Sequence, residues 1–155
     1  MSEQLKKNSS QKKSLEPLEI ANYCLVAVGV IAFAILIGLT FFTNIYLCIK
    51  ISLVCAISFV LVTILRKVLN FERPQIEGAI YSKKAGEAFP SRHTFSLMMI
   101  GLSWLNVNVL VGFILCGLTM VLGGIRIAMG AHSVRDVYGA IIIAITCSLA
   151  GFLFF

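Results

Sequence analysis

Long uncharged apolar runs alternate with short polar segments along the whole chain. Residues 1–19 are polar and rich in Ser and Lys, and an apolar run then extends from Ile20 to Leu65 with Lys50 as its only charge. That length accommodates two crossings of about 20 residues each, with Thr43 and Asn44 at the turn. A charged loop from Arg66 to Arg92 follows and contains Pro74, Gly78, Gly86 and Pro90. Thr94 to Ile125 is again uncharged, broken by Asn106 and Asn108. Two crossings there would each be about 24 Å long at 1.5 Å per residue, short of a bilayer core of about 30 Å, so their polar ends should be drawn towards the interfaces. A second polar loop runs from Arg126 to Asp136, and the chain ends in an apolar run from Val137 to Phe155. The runs are continuous rather than alternating, which excludes a β-barrel. The pattern predicts an all-α, polytopic transmembrane helix bundle of about five spans: a polar tail over 1–19 and a single membrane domain over 20–155.

Composition narrows the class further. Hydrophobic residues make up 59% and charged residues 13%, with a mean hydropathy of +0.95. Soluble domains carry about 25% charged residues. The first apolar run exceeds the roughly 7–15 residues of a signal-peptide core, so it is expected to be a retained span. The net charge of +6 does not point to nucleic acid, because no basic stripe is interleaved with aromatic residues. Basic groups beside membrane spans fix topology or meet phosphate headgroups instead. The five cysteines form no C-x-x-C and fall in or at the ends of apolar segments, where small packing residues are expected.

The chemistry-bearing residues gather on the two polar loops. The chain has only two histidines, His93 and His132, each where a polar loop meets an apolar run and each with arginine close by. Ionisable groups at membrane depth cost about 2.5–3.5 kcal/mol on insertion scales, so they are paired or functional. Two spans separate the loops, which therefore emerge on the same side. In "RIAMGAHSVRD" (126–136), His132 and Asp136 are four apart and share a helix face, where the carboxylate can reach one imidazole nitrogen. Such a pair fixes the tautomer and raises the basicity of the other nitrogen, as a nucleophile or base requires. Arg126 lies six residues before His132, across Gly130, and could fold back over it. Ser133 with Asp136 three residues on equally matches a helix capping box, and these residues alone leave both readings open. In "PSRHTF" (90–95), Ser91 is a fair N-cap for a helix whose free N–H groups and positive dipole end suit a phosphate. His93 in its first turn could give a proton to a leaving oxygen. In "LRKVLNFERP" (65–74), Arg66, Lys67 and Arg73 offer fixed cations with phosphate geometry, although a topology-setting cluster would look the same.

Taken in order, the three stretches resemble the type-2 phosphatidic acid phosphatase (lipid phosphate phosphatase) superfamily, whose active site is shared by vanadium haloperoxidases. The family pattern is KxxxxxxRP, then PSGH, then SRxxxxxHxxxD. Here it reads Arg66 with Arg73-Pro74, then Pro90-Ser91-Arg92-His93, then Arg126, His132 and Asp136, with matching spacing across about residues 50–150. The departures are Arg66 at the family's lysine (Lys67 is one residue out of register), Arg92 at the glycine, and Ile125 at the serine. The resemblance implies a phosphohistidine on His132, oriented by Asp136, with His93 as proton donor. It assigns Arg66, Arg73, Ser91, Arg92 and Arg126 to the phosphate oxygens. The acidic residues, seven in all, show no clustered ligand spacing, so no metal or cofactor is expected.

The function expected is hydrolysis of a phosphate or diphosphate monoester of a lipid: phosphatidic acid, phosphatidylglycerol phosphate, a polyprenyl phosphate or diphosphate, or a phosphorylated glycolipid. The alternative is a catalytically silent membrane protein that binds anionic headgroups. Family members commonly have six spans and an extracytoplasmic site. With five spans here, twelve of the thirteen cations fall on the site's side and only Lys50 on the other. The positive-inside rule then places the site at the cytoplasmic face of the cell membrane. The last run carries Asp136, Ala140, Ala144 and Ser148 at i+4 spacing, a small-residue stripe expected to face into the bundle.

Overall fold

In hydrocarbon a lone segment satisfies its own backbone polar groups only as a helix, and the apolar runs fold accordingly. The computed structural model describes residues 2–72, 86 and 88–154, with side chains from Glu16 onwards. Five helices follow in chain order: α1 (Ser2–Thr43), α2 (Ile45–Leu69), α3 (Arg92–Trp104), α4 (Val109–Ala128) and α5 (Val134–Phe154). Among the described residues there is no strand. The protein is an all-α membrane helix bundle. The helical backbone of α1 begins at Ser2, well ahead of the apolar run that starts at Ile20.

Among the described residues four helices, not five, are long and apolar enough to cross a membrane: α1 from Glu16, α2, α4 and α5. The fifth expected crossing, α3, has 13 residues, about 20 Å at 1.5 Å per residue. Its surroundings account for this. Phe95, Met98 and Met99 of α3 meet Val54 and Val62 of α2 and Val137, Ala140, Ile141 and Ala144 of α5. Leu97 and Trp104 meet Leu36 of α1, Ile51 of α2, and Leu115 and Leu122 of α4. A helix enclosed by its neighbours need not match the bilayer, because irregular backbone at depth is tolerated where protein covers it. The chain still turns after Trp104 and returns along α4, so both polar loops lie at one end, as the loop count requires.

Small residues set the helix separations, since apolar side chains gain little by leaving lipid for one another. A Cβ on Gly101 of α3 would come within 3.1 Å of the Cys116 backbone nitrogen on α4. On α5, Asp136, Ala140, Ala144 and Ser148 are all buried, so the expected stripe faces the interior. The turns follow their polar residues. Asn44 Oδ1 accepts from Leu47 N at 3.1 Å and caps α2, and Asn108 Oδ1 accepts from Val111 N at 3.1 Å and caps α4, each satisfying an orphan donor of a helix start. At the far end Lys50 Nζ donates to Phe152 O at 3.1 Å, supplying a cation to the last turn of α5. All five cysteines are free.

Candidate active site

The C-terminal ends of α2 and α4 and the N-terminal ends of α3 and α5 meet at one end of the bundle. Arg126 lies in the last turn of α4. Gly130 follows at φ +68°, a left-handed conformation that glycine adopts without steric cost. The chain folds back there, and the amides of Ala131 and His132 both donate to Arg126 O, at 3.0 and 3.3 Å. Residues six apart in sequence are thereby held one against the other.

His132 and Asp136 meet, with Nδ1 and Oδ2 3.7 Å apart and both side chains buried, but not across a shared helix face: His132 lies in the bend before α5, which starts at Val134. The capping box forms as well. Ser133 N donates to Asp136 Oδ2 at 2.8 Å, and Asp136 N donates to Ser133 Oγ at 3.3 Å. The two readings open in the sequence are therefore one arrangement: the cap fixes the carboxylate that faces the imidazole.

The other half is the start of α3. Ser91 occupies the N-cap position but its side chain makes no capping bond, a departure from the sequence expectation. It is fully buried, and its hydroxyl accepts from Thr94 Oγ1 at 3.0 Å. Its amide donates to Asp136 O at 3.1 Å, which ties the two loops together. His93 Nδ1 lies 2.9 Å from Arg126 Nη2, and Arg126 Nη1 donates to Asn22 Oδ1 of α1 at 2.8 Å. Arg92 is exposed beside His93.

Arg66 is buried at the end of α2. Its Nη1 donates to Pro90 O and, at 3.5 Å, to Ala88 O, so it holds the backbone that leads into Ser91 and His93. Lys67 is exposed one residue on. Arg73 falls outside the described residues. Arg135, 61% exposed, stacks over the Phe71 ring at 4.4 Å and lies 5.9 Å from Phe89. Sequence reasoning missed Asn22, Thr94 and this aromatic seat. Asn22 had a legible signal, a lone carboxamide two residues into an uncharged apolar run; the other two had none.

Positive charge dominates the electrostatics. The His93 side chain reaches the surface, yet the protein packed around its ring lowers its pKa from 6.5 to about 4, first by desolvation and then by the charges of Arg126, Arg92, His132 and Arg66, so its imidazole is neutral near pH 7. From Arg92 and His93 an open apolar groove of about 330 Å³ leads down between α1 and α3, past Val26, Gly29, Phe59, Leu97 and Ile100. The site thus joins an anion-attracting pole to a lipid-like channel.

Fold and site together define a class: a membrane-embedded helix bundle with a paired-histidine, arginine-lined centre at one end. No family model and no curated protein sequence matches the chain. The fold is similar to the crystal structure of Aquifex aeolicus LpxE, with a TM-score of 0.69 and 23% sequence identity, covering 88% of this chain and 86% of that one.

Proposed function

We propose that the protein is a lipid phosphatase that hydrolyses a phosphate or diphosphate monoester through a phosphohistidine. The observation that carries this reading is the convergence of His93–Arg126 and His132–Asp136, joined by the Ser91 N to Asp136 O hydrogen bond of 3.1 Å. The apolar groove that starts at His93 supports a lipid as the substrate.

With Nδ1 of His132 turned to Asp136, Nε2 is the nitrogen that attacks phosphorus. The P–N bond forms as the P–O ester bond breaks, and His93 gives its proton to the departing oxygen. Water then attacks the phosphohistidine while His93 takes a proton from it, which releases inorganic phosphate and restores His132. Arg126, Arg92, Arg73 and the amides at the start of α3 would hold the phosphate oxygens as charge builds. Arg66 adds its charge while its guanidinium keeps the loop in place, and Ser91 seats the helix start. The arginines that depress the pKa of His93, Arg126, Arg92 and Arg66, would be countered by a bound dianion, so substrate itself would favour the protonated donor.

The test is phosphate release by the detergent-purified protein from a panel of lipid phosphates, with EDTA present and His132→Ala alongside. Release that persists in EDTA and is lost in the variant is expected; no release from any substrate by folded protein would leave an anionic-headgroup binder. A cytoplasmic orientation of the site is proposed from the charge distribution alone. A single cysteine at Lys83, in a background with the five native cysteines replaced, should resist an impermeant thiol reagent in intact cells, and labelling would reverse the orientation.

A further inference from the structure

Two buried polar side chains are described on α1, Asn22 and Thr40. Thr40 Oγ1 bonds back to Leu36 O of its own helix at 2.7 Å. Asn22 reaches across the bundle instead, its Oδ1 accepting from Arg126 Nη1 at 2.8 Å. The same guanidinium places Nη2 2.9 Å from His93 Nδ1. A guanidinium stays protonated and can only donate. Nδ1 of His93 must then be the acceptor, and the neutral ring carries its proton on Nε2. Resting on the reading of His93 as proton donor, we infer that Asn22 is a positioning residue: it seats Arg126 on His93 Nδ1 and so fixes the imidazole in its Nε2–H form until an anion draws the guanidinium away.

The consequence is a substrate-operated release. Imidazolium needs a proton on both nitrogens, and Nδ1 can gain one only when Arg126 leaves it. A phosphate dianion offers Arg126 a charge-assisted, two-pronged partner that outcompetes a neutral ring nitrogen. Once Arg126 moves, Nδ1 takes a proton from solvent or from a monoprotonated phosphate. Nε2–H then goes to the leaving oxygen as the P–O bond breaks, and His93 is left neutral with its proton on Nδ1. The bare Nε2 is the base that accepts a proton from the hydrolytic water. When phosphate departs, the Nδ1 proton returns to solvent and Arg126 returns to its seat. A neutral carboxamide suits this cycle. A carboxylate would grip Arg126 too strongly to release it, and an apolar side chain would leave Nη1 without its acceptor.

The groups whose charge acts on His93 are Arg126 of α4, Arg92 of its own helix, Arg66 of α2 and His132 of the turn before α5. Asn22→Asp would set a negative charge against this cluster. The test is nitrogen NMR of histidine-labelled protein in detergent, titrated with pH and with inorganic phosphate, the His93 signal being assigned by its loss in His93→Gln. The wild type should show an unprotonated Nδ1 when free and protons on both nitrogens with phosphate. Asn22→Asp should keep Nδ1 unprotonated even with phosphate present and weaken phosphate binding about tenfold. Asn22→Leu should give a mixture of tautomers, and Thr40→Val should match the wild type. Wild-type tautomer and midpoint in both folded Asn22 variants would overturn the inference. This readout needs no turnover, so wild-type protein without phosphatase activity would sink the proposed function separately.

Discussion

His132 is 3% exposed and lies 3.7 Å from the Asp136 carboxylate; His93 is exposed and lies 2.9 Å from the Arg126 guanidinium. One imidazole faces an anion, which holds one nitrogen and makes the other electron-rich. Its counterpart faces cations, which keep it neutral until a phosphate arrives. The difference teaches that the environment, not the residue type, would divide the proposed roles: a nucleophile beside a carboxylate, a proton carrier beside a guanidinium that never loses its proton. It also explains why the two loops must be locked together. The Ser91 amide on the Asp136 carbonyl ties together the loops carrying the two groups, which under the proposed function act on opposite sides of one phosphorus.

The largest expected effect comes from the buried member. His132→Ala should reduce phosphate release about 10⁴-fold or more, equally for alkyl and aryl phosphates, because the attacking atom is gone. Asp136→Asn should follow at about 10³-fold, measured as kcat, since the amide oxygen can still accept from Ser133 N while the charge that supports the imidazole is lost. His93→Ala should cost about 10²- to 10³-fold on alkyl phosphates and far less on p-nitrophenyl phosphate, whose leaving group needs no proton. Equal losses on both substrates would erase the distinction between the histidines.

Acid should discriminate them next. The folded pKa of His93 is about 4 against 6.5, so between those values the unfolded chain binds more protons. Stability therefore falls as pH drops from 6.5 towards 4, and this group causes no further loss below that. Thermal melts of His93→Gln should lose part of this acid sensitivity. The smallest effects separate cap from chemistry. Ser133→Ala should lower stability by about 1 kcal/mol with most activity kept, and Arg135→Ala by about 0.5 kcal/mol through its lost ring stacking, both read from melting temperature.

The sequence by itself determined the class, the helical form and the grouping of cations and histidines on two loops at one end. Uncharged runs in lipid leave a segment only one way to satisfy its backbone, whereas the meeting of His132 with Asp136 needed the turn before α5, since His132 lies outside that helix. The sequence also marked the turn at Asn44 and the break at Asn108, while their capping bonds to amides three residues on came only with the structure. What it could not set was decided by contacts between distant segments. The short span of α3 depends on helices that enclose it, so its length was not written in its own residues. The loss of a capping bond at Ser91 depends on Asp136 and Thr94, the use of Arg66 on the carbonyls of Ala88 and Pro90, and the seat of Arg126 on Asn22, 104 residues away. Local pattern fixes which groups are available on each helix; only packing decides which of them face one another.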